Sequence, residues 1–147
     1  MINIITAWHA IYIYFYSHMT FRYPKEEKLK SKTLIQKIFD EGSAVSNFPL
    51  KVLYVRTNAV NGVKLKVGVA VPKKNFKSAV HRNRVKRLLR ESYRLNKDKI
   101  FNKTEGSYAL LFLYLGKDIP EYKAVEKNML AIFERLIKKL NNEENTE

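Results

Sequence analysis

Between residues 82 and 94 the chain carries Arg82, Asn83, Arg84, Lys86, Arg87, Arg90 and Arg94, with Glu91 as the one acid. At about 100° per residue, a helix here sets Val85, Leu88, Leu89 and Ser92 in one arc, with His81 beside them and Tyr93 at the border. Arg82, Asn83, Lys86, Arg87, Arg90 and Arg94 fall together on the other side. One acid is too few for the i,i+4 ion pairing that a structural basic helix uses. The planar guanidinium meets two phosphate oxygens at once, which an ammonium cannot do. Asn83 both donates and accepts, so it either fixes the arginines' geometry or meets a base or ribose edge. Lys73, Lys74 and Lys77 precede the helix, where its N-terminal dipole already favours anions. The chemistry these residues support is the binding of a polyanion through its phosphates.

Groups that would break a phosphodiester are not assembled. A metal-dependent nuclease needs clustered carboxylates, and Asp40, Asp98 and Asp118 lie far apart along the chain. The histidines are His9, His18 and His81. Two of them fall in an N-terminal segment set aside below, so a histidine acid/base pair is not expected. His81 is expected to cap the helix or to be partly buried. Cysteine is absent, which excludes disulfides and thiolate chemistry and suits a reducing cytoplasm. There is no Gly-rich phosphate loop or zinc motif. The chain is expected to bind without chemistry of its own.

Charge sharpens the partner. The 147 residues carry a net +14, and the segment from Lys64 to Lys103 holds 14 basic residues against Glu91 and Asp98. Such local density repels itself unless a polyanion neutralises it, which puts nucleic acid first and a membrane surface second.

The elements that must position this helix follow from periodicity and turn chemistry. Pro24 to Lys32 is a charged, extended entry arm. Ser31 or Thr33 caps a short helix through Phe39, whose apolar face is Leu34, Ile35, Ile38 and Phe39, and Gly42 stops it. Leu50 to Arg56 forms a strand, and Asn61-Gly62 is a hairpin signal leading into a second strand, Val63 to Val71. On that strand Val63, Leu65, Val67, Val69 and Val71 share one face, with Lys64, Lys66, Gly68 and Ala70 on the other. Pro72 ends it. The basic helix spans about Ala79 to Asn96, and the apolar run Ser107 to Leu115 is a buried strand. Pro120 is expected to open a last helix with Val125, Met129, Ile132, Phe133, Leu136 and Leu140 on one stripe. The whole is one α+β domain over residues 19–140, a two-layer α-β sandwich of order α-β-β-β-α-β-α, with a disordered acidic tail at 141–147.

From Lys66 to Arg94 the run KVGVAVPKKNFKSAVHRNRVKRLLRESYR resembles the protein subunit of bacterial ribonuclease P. Arg82, Asn83, Arg84, Lys86, Arg87, Leu88, Arg90, Glu91, Tyr93 and Arg94 fit that family's signature, and the likeness extends over about Leu29 to Leu140. The resemblance implies a central sheet with a left-handed β-α-β crossover at the basic helix, where physics alone favours a right-handed one. It implies a partner, a catalytic RNA that with Mg²⁺, held mainly by that RNA and the substrate, removes the 5′ leader of precursor tRNA. The basic helix, with Lys73 and Lys74, would dock on the catalytic RNA. A cleft between the first helix and the sheet would hold the single-stranded leader, with Ile35, Phe39, Phe48, Leu50, Tyr54 and Lys66 as candidate contacts. Two features depart from the family. Ile35 and Leu50 stand where aromatics that stack on bases are common, and the loop Asn75-Phe76-Lys77-Ser78 is longer than the usual Gly-containing turn.

Residues 1–18 contain no Asp, Glu, Lys or Arg. They lack the basic start and small-residue end of a signal peptide, and are slightly short for a span of about twenty apolar residues. Met19 is expected to be the true start, and neither a membrane nor a protein partner is expected. Two other classes stay open on sequence: a ribosome-associated or other structured-RNA binder, and a basic protein anchored through residues 1–18.

Overall fold

The computed structural model describes residues 4–8, 11, 22–58 and 63–146. The N-terminal stretch to His18 and the Asn61-Gly62 turn therefore lie wholly or largely outside the described residues. After a single 3-10 turn, Lys25–Glu27, the elements are α1 (Lys32–Glu41), β1 (Ser43–Asn47), β2 (Leu50–Thr57), β3 (Leu65–Ala70), α2 (Ala79–Asn96), α3 (Asp98–Phe101), β4 (Ser107–Tyr114) and α4 (Tyr122–Asn145). The four strands form one mixed sheet of order β1-β2-β4-β3, antiparallel except where β3 runs parallel to β4.

That order corrects the expected hairpin. β2 and β3 are not neighbours, because β4 lies between them and pairs with both. β4 is nearly all apolar and buried on both faces, so its most favourable place is the sheet interior. A parallel β3–β4 pair cannot be closed by a tight turn and requires a crossover, which α2 supplies.

Strand alternation sorts the core into two parts. Val52, Tyr54, Leu65, Val67, Leu110 and Phe112 meet Val85, Leu89 and Tyr93 of α2 and Met129, Ile132, Phe133 and Leu136 of α4. Tyr93, Phe112 and Phe133 form a triangle with ring centroids 6.2–6.5 Å apart, joining α2, β4 and α4. On the opposite face Ala109, Leu111, Leu53 and Val55 meet Leu34, Ile35 and Ile38 of α1 and Leu29 of the arm. The expected two-layer sandwich is thus corrected to helices on both faces, since β2 and β4 present an apolar second face that α1 covers.

Local signals explain the helix ends. Ser31 is the N-cap of α1, its Oγ accepting from the Leu34 amide at 3.3 Å. Gly42 closes α1 through its amide to the Ile38 carbonyl (2.9 Å), and a Cβ there would sit 2.2 Å from that oxygen. The last helix begins at Tyr122 with Glu121 as N-cap, so Pro120 lies just outside it and not at its first position. Its C-terminal end runs to Asn145, correcting the expected disordered tail. The Tyr54 hydroxyl donates to Glu143 (3.0 Å) and that of Tyr108 to Glu144 (3.2 Å), which gives the acidic end partners on the sheet. At the sheet margin, the Arg135 guanidinium donates to the Ser46 carbonyl and the Lys139 ammonium to that of Ala44, both in β1.

Leu89 is fully buried while Leu88 is only partly so. Leu89→Ala should lower unfolding free energy in urea by about 2–5 kcal/mol, and Leu88→Ala by clearly less. Tyr122 donates to Glu126 at 2.8 Å, and burial, with that carboxylate, pushes its hydroxyl up from 10.0 to about 12. An acid raised in the folded state stabilises it fully below its unfolded pKa and less as pH climbs towards the folded value. Stability should therefore fall between pH 10 and 12, and Tyr122→Phe should flatten that fall in thermal melts across the range.

Candidate nucleic-acid interface

The loop from Pro72 to Ser78 is held on the core before α2 begins. Phe76 is buried with its ring 6.1 Å from that of Tyr114, and the Asn75 amide donates to the Leu115 carbonyl at 3.2 Å. Ser78 is the N-cap of α2 but its side chain makes no capping bond. Arg82 instead reaches back, one Nη donating to the carbonyls of Phe76 (2.8 Å) and Lys77 (3.0 Å). The long loop is thus braced by a buried aromatic and a guanidinium, and Lys73, Lys74 and Lys77 stand exposed on it.

α2 buries Val85, Leu89, Ser92, Tyr93 and Asn96. The buried arc is rotated towards Tyr93 relative to the sequence expectation, which leaves Leu88 partly exposed and His81 exposed. His81 is therefore not the partly buried residue that was expected. Asn83, Arg84, Arg87 and Arg90 are exposed, while Arg82, Lys86 and Arg94 are half-buried. Arg94 forms an i,i+3 ion pair with Glu91, whose carboxyl those hydrogen bonds hold below its usual range. Arg84 and Arg87 make no ion pair among the described residues. The predicted cations are therefore brought onto one surface, but Arg82 and Arg94 each also have an intramolecular task.

The second surface lies at the β3 edge. A cleft of about 600 Å³ is lined by Tyr23, Lys28, Leu29, Lys30, Ile35, Phe39, Val67, Gly68, Val69, Ala70, Arg90 and Leu111. α1 supplies Ile35 and an exposed Phe39, and the arm at 23–30 forms the other wall. Gly68 sets the floor, since a Cβ there would meet Leu29 and Leu111 at 3.2 and 3.4 Å. Arg90 reaches the cleft from α2, so the basic helix and the cleft are continuous around the β3 edge.

Of the candidate cleft residues, the structure brings together Ile35 and Phe39 only. Leu50 and Tyr54 are corrected: both are buried on the opposite face of the sheet, because even-numbered positions of β2 face α2 and α4. Lys66 shares the cleft's face of β3 with Gly68 and Ala70 without lining it, and Phe48 is exposed in the cis Phe48-Pro49 turn between β1 and β2, also outside it. Sequence reasoning missed Tyr23, Lys28, Lys30 and Leu29. The one available signal was the mixture of an aromatic and lysines in an arm without helical or strand periodicity.

Comparison with known proteins identifies the family. A family model described as Ribonuclease P matches residues 23–138. The ribonuclease P protein component of Porphyromonas gingivalis is 35% identical over 116 residues, covering 77% of this chain and 85% of that one. That of Clostridium botulinum is 38% identical over 112 residues, covering 76% and 95%. Among solved structures, the RNase P protein of Staphylococcus aureus superposes with a TM-score of 0.60 at 21% identity, covering 78% of this chain and 96% of that one. The Thermotoga maritima protein gives 0.60 at 24% identity, covering 74% and 96%. These two establish the shared fold. With the family model spanning the arm, the basic helix and most of α4, the chain belongs to the ribonuclease P protein family.

Proposed function

We propose that this chain acts as the protein subunit of ribonuclease P, the ribonucleoprotein endoribonuclease that makes the mature 5′ end of tRNA. The observation that carries the reading is the family match over residues 23–138, which spans both surfaces. The exposed face of α2, with Asn83, Arg84, Lys86, Arg87 and the loop lysines Lys73 and Lys74, docks on the catalytic RNA. Arg82 and Arg94 contribute charge while also bracing the loop and pairing Glu91. The cleft at the β3 edge takes the single-stranded leader of precursor tRNA. Phe39 offers its ring to bases, and Lys28, Lys30 and Arg90 offer charge to the backbone.

In this reading the RNA performs the cleavage and Mg²⁺ is held mainly by RNA and substrate. Among the described residues no group of three acidic or histidine side chains is placed to hold a metal. The family likeness also supports a left-handed sense for the β3-α2-β4 crossover, and a cytoplasmic place of work. No described helix is long and apolar enough to cross a membrane.

Adding the protein to its cognate catalytic RNA and precursor tRNA at low Mg²⁺ should stimulate 5′ cleavage; a rate no higher than with RNA alone would sink the reading. Arg84→Ala and Arg87→Ala should each weaken catalytic-RNA binding by about tenfold. Each should also make the salt dependence shallower by about one unit of log–log slope, without changing the melting temperature. Arg82→Ala should lose affinity and also about 1 kcal/mol of stability, because two loop carbonyls lose their donor. Filter binding across a salt series with parallel thermal melts separates these outcomes.

A further inference from the structure

Apart from the 3-10 turn Lys25–Glu27, the arm at 23–30 has no regular structure, yet it forms a wall of the cleft. Three kinds of contact fix it: hydrogen bonds, a ring contact and an ion pair. The Leu29 amide donates to the Val67 carbonyl at 2.9 Å, and the Tyr23 hydroxyl donates to the same oxygen. The Tyr23 ring packs edge-on against Tyr93 of α2, with centroids 5.5 Å apart, and burial pushes its hydroxyl up to about 12. The third contact is ionic. Lys97, immediately after α2, donates to both carboxylate oxygens of Glu27 at 3.0 Å, with the lysine side chain 7% exposed and the carboxylate 19%.

An ion pair this buried is a weak source of net stability, because desolvation of both charges opposes their attraction. What it supplies is direction. A carboxylate receiving two bonds from one ammonium holds the arm in one position against the end of α2, and a shifted arm would leave a charge buried alone. Glu27, Tyr23 and Leu29 point to the protein, whereas Lys28 and Lys30 remain exposed beside the cleft.

We propose that Glu27 and Lys97 are positioning residues for leader binding: their ion pair locks the arm on the β3 edge, so that Lys28, Lys30 and Arg90 converge on one stretch of leader backbone. The inference rests on the reading of the cleft as the leader site. It also makes the end of α2 a mechanical link between the surface that docks on the catalytic RNA and the wall that meets the substrate.

The test uses the reconstituted holoenzyme with the full chain. Affinity is measured for precursor tRNA with a long leader and with a one-nucleotide leader, and separately for the catalytic RNA. Glu27→Gln should weaken binding of the long-leader substrate by about fivefold or more, with the short-leader substrate, catalytic-RNA affinity and single-turnover rate at saturation unchanged. Hydrogen exchange at the Leu29 amide should quicken in the same variant, and the swap Glu27→Lys with Lys97→Glu should restore both readouts. Wild-type leader dependence in Glu27→Gln overturns the proposal. So does an equal loss for both substrates, which marks the pair as merely structural, and so does a swap that restores stability but not leader dependence. Phe39→Ala and Lys30→Ala serve as the control for the cleft itself. If they also leave leader dependence untouched, the leader-site reading falls and the positioning role with it; if they reduce it while Glu27→Gln does not, only the positioning role falls.

Discussion

β4 has to be central, and most of the molecule follows from that constraint. Its run from Tyr108 to Phe112 is apolar at every position and buried on both sides, so it needs strands at both edges and cover on both faces. β2 meets one edge antiparallel and β3 meets the other in parallel. A parallel neighbour forces a long connection across the sheet, and α2 is that connection. The basic helix is thus held where it is by the need to return the chain to β4, and its Tyr93 enters the same aromatic triangle as Phe112. The cationic face is the outer surface of an element the fold could not do without.

β3 is consequently an edge strand, and the two candidate surfaces meet there. α2 crosses one face beside it, α1 covers the other, and the arm at 23–30 closes the margin through the Val67 carbonyl and a single parallel bridge at Lys28. Arg90 belongs to both surfaces. Contacts to the catalytic RNA and to a leader would then be made within one rigid neighbourhood, with Gly68 keeping the floor between them low enough for Leu29 to pack.

The helices were legible in the sequence because helical periodicity is local, and Ser31 and Gly42 needed no tertiary information; the exact buried arc of α2 did, since contact with Phe112 and Phe133 turns it towards Tyr93. Which side of a strand faces which helix was not. The family resemblance offers Leu50 and Tyr54 as cleft contacts, but β2 is apolar on both faces, and only the placement of α4 decides that even-numbered positions are sealed. The strand order failed for a related reason. A Gly-containing turn is a local signal for a hairpin, whereas the pairing of β4 between β2 and β3 is set by burial of a strand about fifty residues away in sequence. The arm was invisible as a wall because its contacts are single ones, a hydroxyl, an amide and an ammonium, with no repeat to betray them.

The opposite margin of the sheet has a different character. β1 ends the sheet, and an exposed strand edge is a template onto which another chain can add. Arg135 and Lys139 from α4 occupy the carbonyls of Ser46 and Ala44, so a would-be neighbour meets fixed cations where it would look for acceptors. In a molecule of net charge +14, every copy also repels the next. A strand of a second copy approaching β1 would therefore meet both an edge whose carbonyls at Ser46 and Ala44 are already bonded and a molecule of its own sign.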